Sequence, residues 1–168
     1  MNIDALFDTM YDELRSVAGR IFAEQNRSHT LQPTALINEV WLKLAGKIDT
    51  VNDRPHFLAL AARAMRQVLT DHARKNTTQK RGGSTYKLTF SEGTLSDQDE
   101  TISLVDFHDS LEQLSSLNER QAKIIELRLL GTLTITEIAS MLNISERTAK
   151  RDWRVARLWI LEELNPPK

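Results

Sequence analysis

Residues 134–157 read TITEIASMLNISERTAKRDWRVAR, and their punctuation decides the fold of the C-terminal third of the chain. Thr134 and Glu137 have the spacing of a capping box, which opens a short helix, ITEIASML. Asn143 tolerates the left-handed conformation that a tight turn requires. Ser145 then caps a last helix running from Glu146 to about Leu164, ended by Asn165-Pro166-Pro167. Helix, three-residue turn and helix make the helix-turn-helix pattern. In the second helix Ala149, Trp153, Ala156 and Ile160 share one face, which assigns Trp153 to a core. Arg147, Lys150, Arg151 and Arg154 share the other, diluted only by Glu146 and Asp152. Cations at the N-terminal end of such a helix sit where a recognition helix meets base edges and phosphates.

Working outward, Asn118 with Gln121 forms a further capping signal for a helix to about Leu130, and Gly131 is its natural stop. At the other end of the chain, Phe7, Met10, Tyr11, Leu14, Val17, Ala18, Ile21 and Phe22 repeat at helical spacing. Pro33 suits the first turn of a second helix, whose apolar positions are Leu36, Ile37, Val40, Trp41 and Leu44. A third helix is predicted from Pro55 to Arg74, with Phe57, Leu60, Ala61, Ala64, Val68 and Leu69 inward. Residues 75–103 hold Gly82-Gly83 and many Ser and Thr without a helical stripe. They read as a linker with a short extended piece at TYKLTF, able to reach ~100 Å when fully extended. So long a connection argues for two domains.

Composition agrees with this organisation. The 168 residues are 40% hydrophobic and 27% charged, which fits a globular protein rather than a disordered or fibrous one. With no cysteine, disulfides and thiolate metal sites are excluded. No apolar run approaches the ~20 residues of a membrane span, and the first helix is acidic, so a cytoplasmic location is expected. The net charge of -1 hides a segregation. Residues 63–82 carry Arg63, Arg66, Arg74, Lys75, Lys80 and Arg81 against Asp71 alone. Residues 91–112 carry Glu92, Asp97, Asp99, Glu100, Asp106, Asp109 and Glu112 and no cation. Two basic runs around an acidic one suit two anion-binding surfaces.

The stretches LQPTALINEVWLKL, DRPHFLALAARAMRQVLTDHARK and ITEIASMLNISERTAKRDWRVARLWILEEL, in this order, resemble the extracytoplasmic-function (ECF) sigma factors of bacterial RNA polymerase. The resemblance covers about residues 5–164 and points to the subgroup associated with Ser/Thr kinases. It implies an all-α fold of two small helical domains joined by a flexible linker, the C-terminal one with a helix-turn-helix. Residues 1–75 would bind the polymerase clamp and the proximal promoter element, residues 76–105 would be the acidic linker, and residues 106–168 would reach the polymerase flap and read the distal element. No cofactor or metal is implied. The helix 34–45 matches the polymerase-contact helix, with Asn38, Glu39 and Lys43 outward. Asn52 and Asp53 fall near the pocket for a flipped promoter base, and Arg63, Arg66, Arg74 and Lys75 on the helix along the melted strand. Ser145, Arg147, Lys150, Arg151 and Arg154 fall at the distal element. Asp71-His72 matches the usual end of the strand-binding helix and is expected to be structural. Residues 91–112 are expected to match the charge of a nucleic-acid channel in polymerase.

One departure from the family pattern stands out. Most ECF sigma factors begin the polymerase-contact helix with acids, in a pattern like EDLVQE, whereas PTALINE places Thr34 and Ala35 there. Each lost charge-assisted hydrogen bond to the clamp is worth about 1.5–3 kcal/mol. Phosphorylation adds about -1.5 to -2 charges, and Thr50, Thr34 and Thr30 are the candidate sites, in that order. The partners expected are therefore core RNA polymerase, promoter DNA and either a Ser/Thr protein kinase or an anti-sigma factor. The alternative, a stand-alone dimeric helix-turn-helix regulator, leaves the N-terminal basic helix without purpose. An enzyme is not expected: His29, His56, His72 and His108 are scattered, and no phosphate loop or nucleophile elbow is present.

Overall fold

In the computed structural model the described residues are 3–23, 32–46, 51, 53–79, 87–90 and 100–164. Three helices form the N-terminal half: α1 (Ile3–Ala23), α2 (Pro33–Leu44) and α3 (Arg54–Gln79). Gln32 is extended and Pro33 takes the first helical position, where its missing N–H costs nothing. The 3.6-residue period of Leu36, Ile37, Val40 and Leu44 buries all four against α1 and α3. Asp53 caps α3 by accepting from the His56 backbone N–H at 2.9 Å. Phe57, Ala61, Met65, Val68 and Leu69 of α3 close the core with Leu14, Val17 and Ala18 of α1. Leu60 and Trp41 are half-buried, and the side chains of Phe7, Met10, Ile21 and Phe22 lie outside the described residues. Helix α3 continues past the expected stop at Arg74 to Gln79.

Within the connection between the halves, the described residues form two strands. Strand β1 (Lys87–Phe90) lies within the expected extended piece, but it pairs antiparallel with an unexpected β2 (Glu100–Ser103), Lys87 opposite Ser103 and Phe90 opposite Glu100. The facing Leu88 and Ile102 are both buried, so the ribbon joins the core. Ser103 then caps α4 (Leu104–Leu117), accepting from Asp106 N–H at 3.1 Å. The end of the acidic run is therefore a packed helix and not linker. Leu104, Phe107, Leu111 and Leu114 supply a buried stripe at helical spacing, which the acids between them obscured.

The rest of the C-terminal half is α5 (Glu119–Leu129), α6 (Ile135–Leu142) and α7 (Glu146–Leu164). Asn118 caps α5 through the Gln121 N–H, and Thr134 and Glu137 complete a reciprocal capping box on α6. Asn143 ends α6 in the left-handed region, φ 56° and ψ 48°. Ser145 accepts from the Thr148 N–H at 3.1 Å, opening α7. At Gly131 a Cβ would stand 2.7 Å from the Leu127 carbonyl oxygen, so the α5–α6 corner has room only for glycine. The fold is all-α in two helical domains, with one two-stranded ribbon between them. Helix α3 is the shared wall: α1 and α2 pack on one side, and α4, α5 and α6 on the other.

Candidate nucleic-acid interface

On α7 the structure separates two faces by burial. Ala149, Trp153, Ala156 and Ile160 are buried, and the Arg128 guanidinium lies 5.6 Å from the Trp153 ring centroid. Arg147, Lys150, Arg151 and Arg154 are exposed, as is the cap Ser145. Asp152 departs from expectation. Instead of diluting the outer charge it is 1% exposed, accepting from Arg120 Nε at 2.7 Å and from Gln121 Nε2 at 3.4 Å. Position 152 lies three residues from Ala149 and four from Ala156, so it falls on the buried stripe. A buried carboxylate needs such donors, and these fix α7 to the start of α5.

Helix α3 treats its cations differently. Arg63 and Lys75 are exposed. Arg74, also exposed, donates to Asp109 of α4 at 3.0 Å. Arg66, read from sequence as a phosphate contact, is instead 7% exposed under α4 and α5. Its Nε donates to Glu126, and its Nη1 donates to Glu112 at 3.0 Å and to His108 Nδ1 at 2.7 Å. Burial, then the charge of Arg66, holds His108 below the usual histidine range, so the neutral ring accepts that bond. At the start of α3, Arg54 donates to both carboxylate oxygens of Glu13 at 2.7 and 2.9 Å and to Glu137 of α6 at 2.6 Å. The Glu13 hydrogen bonds, with both carboxylates, hold the guanidinium above its ordinary pKa. A cleft of about 510 Å³ remains in the seam, lined by Leu60, Arg63, Leu111, Lys123, Leu127 and Met141 among others. Asp53 is an exposed cap, and Asn52 lies outside the described residues.

On α2, Thr34, Asn38 and Lys43 are exposed. Glu39 is 3.3 Å from His72 Nε2, which ties α2 to α3. Leu42, 73% exposed and one turn beyond Asn38, was not singled out from sequence, although its i+4 spacing places it on the same strip. The first turn of α2 carries no acid, and Gln32 makes no side-chain cap. Thr50 and Thr30 lie outside the described residues. Among the described residues no helix is long and apolar enough to cross a membrane, and no cluster of three His, Asp or Glu could hold a metal ion.

The site is thus two cation-bearing helices and a third with an exposed polar and apolar strip. Among curated proteins none matches the chain significantly. Among solved structures it is similar to the sigma factor RpoE in complex with the anti-sigma factor NepR from Bartonella quintana, at 16% identity and TM-score 0.44, covering 99% of this chain and 98% of that one. The ECF sigma factor family profile matches residues 2–166, nearly the whole chain. Such proteins are transcription initiation factors and not enzymes, and this chain belongs to the ECF sigma factor family.

Proposed function

We propose that this alternative sigma factor brings core RNA polymerase to promoters whose distal element is read by α7 and whose melted proximal element lies along α3. Residues 1–75 engage the polymerase clamp through the Thr34, Asn38 and Leu42 strip, with Glu39 and Lys43 flanking it, and residues 106–168 form the distal reader, a helix-turn-helix. The protein acts in the cytoplasm, where its polymerase partner resides. The observation that carries this reading is the α7 face: four cations stand in solvent opposite a buried stripe, preceded by a capped three-residue turn. Phosphate contacts of this kind supply affinity, and side chains at the helix start supply sequence choice. Run-off transcription with core polymerase tests the proposal. Arg151→Ala with Arg154→Ala should abolish promoter-specific product, while a protein that shifts duplex DNA strongly without polymerase would instead be a stand-alone regulator.

Phosphorylation completes the polymerase contact. Thr34 is exposed in the first turn of α2, which has no acid of its own. A phosphate there would gain from the helix dipole and restore the charge that other family members carry. Thr34→Glu should raise affinity for core polymerase about tenfold or more, equal to one charge-assisted hydrogen bond. An unchanged affinity moves the modification to Thr50 or Thr30, or removes it.

A further inference from the structure

Three arginines of α3 face the C-terminal half, and each meets a carboxylate there: Arg54 with Glu137 of α6, Arg66 with Glu112 of α4 and Glu126 of α5, Arg74 with Asp109 of α4. They span about 30 Å of helix at the rise of an α-helix. The central rung is desolvated, with side chains 8% exposed for Arg66 and 12% for Glu126, and the outer rungs are wetter. From this geometry we propose that the protein masks itself in part: the acids of α4, α5 and α6 occupy Arg54, Arg66 and Arg74 of α3 in place of the phosphates of a DNA strand. The chain opens along this seam before α3 takes a strand. The proposal rests on the strand-binding reading of α3 given above.

The chemistry of exchange is like for like. A guanidinium donates to carboxylate and phosphate oxygens through the same fork, so a strand replaces each rung without leaving Arg66 unpaired. The seam is also suited to opening. A buried ion pair adds little net stability, because separation rehydrates both partners. The cleft beside Arg66 shows that apolar packing there is incomplete. Polar, imperfectly packed contacts between domains favour relative motion.

The chain has no cysteine, so spin labels can be placed through Ser16→Cys on α1 and Ser116→Cys on α4, both exposed. In the wild-type background the label-to-label distance should be single and narrow. Neutralising the central and Arg74 rungs with Asp109→Asn, Glu112→Gln and Glu126→Gln keeps side-chain volumes and should lengthen and broaden it. The same triple variant, unlabelled, should bind a single-stranded oligothymidylate at least tenfold more tightly than wild type. A control triple, Asp8→Asn, Asp12→Asn and Glu163→Gln, should gain far less. A second measurement needs no neutralised rung: saturating oligothymidylate should itself lengthen the distance. An unchanged distance in the triple variant, an equal gain in the control, or a bound strand with the distance unaltered would each overturn self-masking. Opening without any gain in binding would instead overturn the strand-binding reading of α3 while leaving the ionic seam in place.

Discussion

Helices α3 and α7 both carry rows of cations, and the fold uses them in opposite ways. On α7 four cations stand in solvent because the stripe behind them is apolar apart from the neutralised Asp152. On α3 the cations alternate between solvent, as at Arg63, and a carboxylate-lined seam, as at Arg66. A cation on an amphipathic helix is therefore not a binding residue by type. What packs over it decides, and for α3 that is chain lying some 40 to 60 residues away.

The contrast can be broken by changing counter-charges. The largest effect is expected for Glu126→Ala. Removing one partner of a buried pair costs about 3 kcal/mol when the charge stays buried, which urea denaturation would register as a lower midpoint. A loss below about 1 kcal/mol would mean that Glu112 and His108 suffice, or that the seam opens and rehydrates Arg66. Next comes Asp152→Ala, expected to cost about 2 kcal/mol through the lost charge-assisted bonds to α5. Its partner Arg120 is already half-exposed and returns to water readily, which makes this the smaller loss. Arg151→Ala with Arg154→Ala should leave stability within about 0.5 kcal/mol. The pair should instead lower the salt slope of duplex binding by about 1 for each phosphate contact removed, measured by titration at several salt concentrations. Equal losses of stability from Glu126→Ala and from Arg151→Ala with Arg154→Ala would erase the distinction between the helices.

A pH titration gives the finest test. His108 of α4 faces Arg66 and Arg74 of α3, with Asp109 and Glu112 on its own helix. Its pKa is lower folded than unfolded, so the unfolded chain binds the proton first as pH falls. The closed arrangement should hold undiminished above about pH 6.5 and weaken as acidification proceeds from there through the depressed value. Thermal unfolding across that range should show the decline, and His108→Gln should flatten it.

Local signals carried the C-terminal half almost completely. The caps at Asn118, Thr134 and Ser145, the left-handed Asn143 and the period of Ala149, Trp153, Ala156 and Ile160 are each properties of a few adjacent residues. Helix α4 carries a signal of the same kind in Leu104, Phe107, Leu111 and Leu114, but Asp106, Asp109 and Glu112 stand between them and the acidic composition masks the period. Strand β2 has four residues and becomes a strand only by pairing with β1, so no local pattern marks it. The burial of Arg66 is the least local feature of all. Its three partners lie on two other helices, and only the packed fold brings them to it.

The ribbon has a consequence for how far the two halves can part. Because Lys87 pairs with Ser103, the start of α4 stays beside the start of β1 while the ribbon holds. In that state the covalent connection from α3 to β1 is residues 80–86, whose reach is at most ~30 Å. Unzipped, residues 80–103 would reach ~85 Å. The four residue pairs between β1 and β2 thus act as a length of folded slack, and how far the two halves can part depends on whether that slack has been drawn out.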